Sequence, residues 1–438
     1  MATEIVLPTL HNGRVIAPER GGQIAAFWKH RKHRFLQLRA GRRWGKTDFD
    51  KTIACDAVIK SKTVGFFAPD YKRLSEVFAE IAGILAPVKL SSSKVDGVFR
   101  TMTGGRIDFW TLEDDAAGRS RKYHLVILDE VAFTKPNMMS VWEKAIKPTL
   151  LDYGGKAIAS SNTNGIADDN FFHQIHSDPR YGFADFHAPT HDNPFLPQEE
   201  LKKLQADNHP LVFKQEYLAE FVDWTGVQFF EMAKCLGDDG KTPVNLPERC
   251  DAVFAVIDTA IKTGRENDGT AVAFFAVEKR GRPAPRITVL DWDIVQIEGS
   301  LLEAWLPDVF RRLNSFATQC HARAGSLGAW IEDKASGTIL LQQAQRRVGT
   351  DRARSIDSKL TAVGKDERAI SVSGYVFRGQ VKVTAPAFEK TSVYKGSTAN
   401  HFLKQVFGFR VGVKDQADDL LDCFCYGVAI ALGNSEGF

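Results

Sequence analysis

Residues 38–47, Leu-Arg-Ala-Gly-Arg-Arg-Trp-Gly-Lys-Thr, combine a turn able to wrap a polyphosphate with a hydroxyl able to hold its metal. Gly41, Arg42, Arg43, Trp44, Gly45, Lys46 and Thr47 read as a P-loop. In that motif backbone N–H groups cradle the phosphates, the lysine reaches the β and γ oxygens, and the threonine hydroxyl ligates Mg²⁺. The pattern departs from the usual one at its first glycine position, which is Ala40. A second group follows the apolar run Leu125-Val126-Ile127-Leu128, which ends in Asp129 and Glu130. Asp129 is expected to hold Mg²⁺ through the metal's water shell, and Glu130 to polarise an attacking water. Ser160, Ser161 and Asn162 close a further apolar run and are placed to sense the γ-phosphate. Upstream, Gln23 carries an amide that can both donate to and accept from the edge of adenine.

These groups need elements to hold them. Residues 34–38 alternate as a short strand before the turn, and apolar residues at 49, 53, 54, 57 and 58 mark a helix after it. Residues 63–69, 106–110, 125–130 and 156–162 are further strand candidates. The helical stretches 24–33 and 74–85 alternate with them, which predicts a mostly parallel sheet. Beyond 248 the period changes. Strands are expected over 252–258, 270–277, 286–292 and 329–333, a helix over 301–313, and a final acidic helix over 415–432. The chain has 438 residues, and with about 150 residues per domain as a guide it divides into two or three domains. The expected division is 1–205, 206–247 and 248–438.

Composition narrows the class. Hydrophobic residues make up 44% and charged residues 25%, the balance of a globular protein with a sizeable core. The longest apolar run, near 420–432, is too short to span a bilayer, and residues 1–5 lack the start of a secretory signal. A cytoplasmic, non-secreted protein is expected. The six cysteines form no C-x-x-C pair, so neither a zinc site nor a disulfide framework is signalled. The net charge of +3 leaves room for a local basic track along DNA.

In order and spacing, these motifs resemble the large terminase subunit of tailed double-stranded DNA bacteriophages. The resemblance rests on Gly41 to Thr47, Phe67-Ala68-Pro69-Asp70-Tyr71-Lys72, Leu125 to Phe133, Ser160-Ser161-Asn162, and the bridging stretch Phe213 to Phe221. It implies an α/β protein with an N-terminal P-loop ATPase and a C-terminal ribonuclease H-like endonuclease. The family's nuclease acids map onto Asp258, Glu332 and the pair Asp418-Asp419, with Asp422 and Asp268 as further candidates. Several carboxylates from different elements are what two hard cations a few ångströms apart require. Basic residues Lys262, Arg265, Lys334, Lys359, Lys365, Arg368, Arg378 and Lys382 flank them as phosphate contacts. The resemblance implies ATP and Mg²⁺, with Mn²⁺ serving in the nuclease site. It also implies double-stranded DNA, a small terminase subunit and a portal protein as partners, and a homo-oligomeric ring on the procapsid. An arginine finger is expected from Arg42 within the chain, or from Arg119 or Arg121 across subunits. Two rival readings are a DNA helicase or repair translocase without nuclease activity, and a non-enzymatic docking protein with a decayed P-loop.

Overall fold

A computed structural model describes residues 5–14, 22–166, 169–259, 269–296, 302–333, 336–411 and 416–433. Asp268, Lys262, Arg265 and Lys334 fall outside the described residues. The chain forms two compact units. One comprises residues 1–206 and 210–223, the other residues 207–209 and 224–438. The intermediate segment expected over 206–247 is therefore shared between them. Residues 210–223 join the first unit because their backbone bonds to the P-loop, and the second unit takes up the chain at Trp224, whose ring packs against Phe229.

In the first unit the strands are β1 (Phe35–Ala40), β2 (Thr63–Ala68), β3 (Lys89–Ser93), β4 (Val98–Thr101), β5 (Arg106–Thr111), β6 (Leu125–Asp129), β7 (Lys156–Ser161) and β8 (Phe183–Ala188). They form one sheet in the order β3-β4-β5-β2-β6-β7-β1-β8. From β5 to β8 every pairing is parallel, and the β3–β4 hairpin adds an antiparallel edge. The central strands are buried along their whole length, as a parallel sheet covered on both faces requires. One apolar layer holds Leu36, Leu38, Phe49, Ile53, Phe66 and Ile127; the other holds Phe67, Val126, Leu128, Trp142 and Phe171. Helix α1 (Gly22–Lys32) and helix α2 (Lys46–Ile59) lead into and out of β1. Arg39 on β1 pairs with Asp185 on β8 through Nε at 2.6 Å and Nη2 at 2.8 Å, and donates to the Ala219 carbonyl at 2.9 Å. One guanidinium thus ties three segments together. The β3–β4 hairpin and β8 carry no strong alternation of their own, and β8 is fixed by its pairing with β1.

In the second unit the strands are β9 (Ala252–Asp258), β10 (Thr270–Glu278), β11 (Arg286–Val295), β12 (Ser326–Ile331), β13 (Ala353–Ser355) and β14 (Val381–Val383). Their order is β13-β12-β9-β10-β11-β14. Strands β9, β10 and β11 are antiparallel neighbours, whereas β12 runs parallel to β9 and β13 parallel to β12. This is the ribonuclease H-like arrangement. The helix Leu302–Gln319 covers one face through Leu306, Val309 and Leu313. The helix Asp419–Leu432 packs against the sheet strands β9, β10 and β11. All six cysteines are buried and unpaired. Among the described residues no helix is long and apolar enough to cross a membrane.

Candidate active sites

The register of the first sheet builds the nucleotide site. Strand β7 lies between β6 and β1, with Ser160 level with Asp129 on one side and Leu38 on the other. The two serines at its C-terminal end therefore stand between the P-loop and the acidic pair. Gly45 begins helix α2 with φ of 99° and no side-chain cap. The first-turn N–H groups of such a helix have no intrahelical partners and suit an anion. Gly41 has a different role: a Cβ there would lie 2.2 Å from the Tyr217 carbonyl and 2.4 Å from Thr190 Oγ1. Gly41 N–H donates to the Ala188 carbonyl at 2.9 Å and Arg42 N–H to the Glu216 carbonyl at 2.8 Å. The start of the loop is anchored to the protein, which leaves its end for phosphate.

Lys46 Nζ lies 2.8 Å from Glu130 Oε1. Thr47 Oγ1 faces Asp129 Oδ2 at 3.4 Å, and Ser161 Oγ donates to Glu130 Oε2 at 3.2 Å. Glu130 has φ of 53°, an unfavourable left-handed conformation of the kind that concentrates at functional sites. Asp129 closes the strand and Glu130 turns out of it. Burial, reinforced by Glu130, pushes the Asp129 carboxyl up to about 7.

A residue that sequence reasoning missed completes this cluster. Asp50, one turn after Lys46 on α2, is fully buried and accepts from Ser160 Oγ. Ser160 Oγ also faces Asp129 Oδ1 at 3.5 Å. Burial and the neighbouring Asp129 drive Asp50 well above the usual carboxylate range, and its Oδ1 has no hydrogen-bond partner among the described residues. The i to i+4 spacing from Lys46 to Asp50 was the available signal. The Thr47 hydroxyl and the Asp129 carboxylate, 3.4 Å apart, are oxygen donors whose chemistry suits Mg²⁺.

Other sequence candidates take different places. Gln23 is buried at the P-loop, but its Nε2 donates to the Gly45 carbonyl at 2.8 Å and its Oε1 accepts from His11 N–H at 3.1 Å. Its amide braces the loop in this state. The Trp44 ring is fully buried among His11, Phe49 and Phe186, so it serves the core and offers a nucleotide no face. Arg43 holds the turn with φ of 66°. Arg42 pairs with Glu216, whose Oε2 also accepts from Asn162 Nδ2 at 2.9 Å. Glu216 thereby links the P-loop to the end of β7, a connection with no local motif to announce it.

The second site lies at the ends of β9 and β12 and the start of the last described helix. Asp258 ends β9, and Glu332 follows the last residue of β12. Gly337 lets the next helix close on this corner, since a Cβ there would lie 1.8 Å from the Glu332 carbonyl. The Asp258 carboxyl is driven well above its ordinary range by burial and by Asp422, Glu332 and Asp419 around it. Tyr426 Oη donates to Glu332 Oε1 at 3.1 Å, and Tyr394 Oη to Asp419 Oδ2 at 3.2 Å.

The helix begins at Asp419, four residues later than expected, with Asp418 as its N-cap residue. That phase turns Asp419 and Asp422 toward Asp258, whereas Asp418 pairs with Lys365 at 3.2 Å. Asp418 therefore stands at the rim. Burial, against the pull of Arg368, raises Asp422 to about 6. A crowd of like charges is a donor set suited to hard cations. In the present side-chain arrangement, however, no three such groups among the described residues enclose a single ion.

The expected basic fringe is largely engaged elsewhere. Lys382 is buried and donates to the carbonyls of Lys234 and Leu236. Arg378 bonds the Asp207 carbonyl at 2.8 Å and lies over Tyr375. Arg368 is buried against Asp422. Their long apolar stems favour such burial where a carbonyl or carboxylate meets the charged end. Lys359 remains exposed.

The first unit is of the P-loop ATPase fold class and the second of the ribonuclease H-like class. Together they have the fold of a large terminase. The chain is similar to the large terminase from a thermophilic bacteriophage, with a TM-score of 0.62 and 14% identity over 91% of this chain and 94% of that one. Structures of the same phage protein with ADP and with ATP-gamma-S superpose with TM-scores of 0.61 and 0.60, at 12% and 14% identity and the same coverage. At such identity the likeness establishes a shared fold. No model of a known protein family matches the chain, and no curated protein matches its sequence.

Proposed function

We propose that this protein is the ATP-driven motor and endonuclease of viral genome packaging, translocating double-stranded DNA into a procapsid and cutting the concatemer. The observation that carries this reading is the presence, in one chain with a large-terminase fold, of both carboxylate clusters at strand ends. In the first, Lys46 would bind the β and γ phosphates, Thr47 and Asp129 would hold Mg²⁺, and Glu130, steadied by Ser161, would polarise the attacking water. In the second, Asp258, Glu332 and Asp419 would hold divalent metal, with Asp422 beside them and Asp418, paired with Lys365, at the rim. Two bound cations, Mg²⁺ or Mn²⁺, would supply activation of water and stabilisation of the leaving oxygen. Nucleotide use is supported by the thermophilic phage protein, whose structures include ADP and ATP-gamma-S complexes.

The expected partners are a small terminase subunit and a portal, with this chain forming a ring in the host cytoplasm. Arg119 and Arg121 are exposed on the loop before β6, but Arg121 pairs with Asp108 at 3.7 Å and lies over the Trp110 ring, and Arg42 is engaged by Glu216, so Arg119 is the arginine offered to a neighbouring subunit. The reading is tested with supercoiled plasmid and Mn²⁺. Wild-type protein should nick it, and Asp258→Asn should lower nicking at least about a hundredfold while ATP turnover stays within about twofold. Unchanged nicking by Asp258→Asn would exclude the site. ATP-dependent strand separation without any nicking would favour the helicase alternative.

A further inference from the structure

The nuclease acids are met by a cation that belongs to the chain. Arg368 lies in the helix Lys365–Phe377, which packs against the helix Asp419–Leu432. Its side chain is 7% exposed. Nη1 forms an ion pair with Asp422 Oδ1, Nη2 donates to the Val363 carbonyl at 3.0 Å, and the guanidinium lies over the Tyr426 ring at 4.2 Å. Tyr426 in turn donates to Glu332. The guanidinium is thus connected to two of the acids through one ion pair and one aromatic ring. Yet Nε and Nη1 lack hydrogen bonds of good geometry despite their burial. One turn earlier on the same helix, Lys365 pairs with Asp418. A single helix therefore presents two cations, three residues apart, to two acids four residues apart.

We infer that Arg368 is a built-in counter-cation of the nuclease site, which a divalent metal must displace from Asp422 before the acids close around it. The inference rests on the nuclease reading above. A buried carboxylate cluster is costly without a cation, and the Arg368 guanidinium supplies one positive charge to it at Asp422. Metal and guanidinium compete for the same carboxylate oxygens. Arg368 is accordingly a positioning residue that sets the metal concentration at which the site assembles.

The test is Mn²⁺ binding to the full chain, measured by calorimetry and by the electron paramagnetic resonance signal of free Mn²⁺. The Asp258→Asn protein identifies the binding that belongs to this site. Arg368→Gln, which removes the competing charge, should lower the site's Kd at least about tenfold. Arg368→Lys, which keeps it, should stay within about threefold of wild type. A merely structural role would make both variants bind Mn²⁺ equally well or worse, and an unchanged or weaker Kd in folded Arg368→Gln overturns the inference. If Asp258-dependent binding is present but indifferent to Arg368, only this inference falls. If no Asp258-dependent binding exists in any variant, the nuclease reading falls with it. Should Arg368→Gln fail to fold, a Mn²⁺-soaked crystal of the wild-type chain decides. Arg368 displaced from Asp422 is the expected result, and Arg368 still on Asp422 with ions bound among the acids contradicts it.

Discussion

Ser161 shows how narrowly the proposed ATPase site is set. Its Oγ donates to Glu130 Oε2 at 3.2 Å and accepts from Ala132 N–H at 3.3 Å, so it fixes both the carboxylate and the turn beyond it. Ser161→Ala should lower kcat for ATP about fivefold, matching a hydrogen bond worth about 1 kcal/mol, with little change in KM. Steady-state kinetics checks this; an unchanged kcat would remove Ser161 from the positioning of Glu130. At this scale the sequence was legible where chemistry sits in contiguous residues. Lys46, Thr47, Asp129 and Glu130 announce themselves by type and spacing. Glu216 and the role of Arg368 do not, because each acquires meaning only from a partner far along the chain, and Asp50 had only its i+4 spacing from Lys46 to mark it, its partner Ser160 lying far along the chain. Trp44 shows the converse, since a motif position also supplies a core side chain.

Elements fix which face each residue presents. The choice among Asp418, Asp419 and Asp422 depended on the residue at which the last helix starts, and periodicity locates a helix better than it locates a helix end. The strands with continuous apolar runs were readable, whereas β8 and the β3–β4 hairpin owe their existence to pairing. Helix α1 illustrates an element-level cost. His30 in its last turn is 6% exposed, and burial, with Lys156 and Arg31 nearby, lowers its pKa to about 4. Between pH 6.5 and 4 the unfolded chain binds a proton that the folded chain refuses, so stability falls as pH falls through that window. The loss approaches about 3 kcal/mol at about pH 4. Thermal melts should show His30→Gln less acid-sensitive than wild type over this range. Parallel pH curves for the two proteins would contradict the assignment.

The molecule comprises two compact units. On the proposed reading each unit carries its own ligand site, which makes their stabilities separately addressable. ATP-gamma-S with Mg²⁺ at about 100 times its Kd should stabilise the first unit by about 2.7 kcal/mol, and saturating Mn²⁺ should stabilise the second. In scanning calorimetry, ATP-gamma-S with Mg²⁺ should raise one transition by several degrees in wild type and not in Lys46→Ala. Mn²⁺ should raise the other in wild type and not in Asp258→Asn. Loss of both shifts in either variant would show that the sites are not independent. The central claim is that ATP is hydrolysed where β1, β6 and β7 end, with Glu130 acting on the water. Its most direct measurement is the Glu130→Gln protein assayed for both ATP binding and ATP turnover. The account predicts ATP retained with a Kd within about threefold of wild type and kcat lowered at least about a hundredfold. Turnover by Glu130→Gln at the wild-type rate would contradict it.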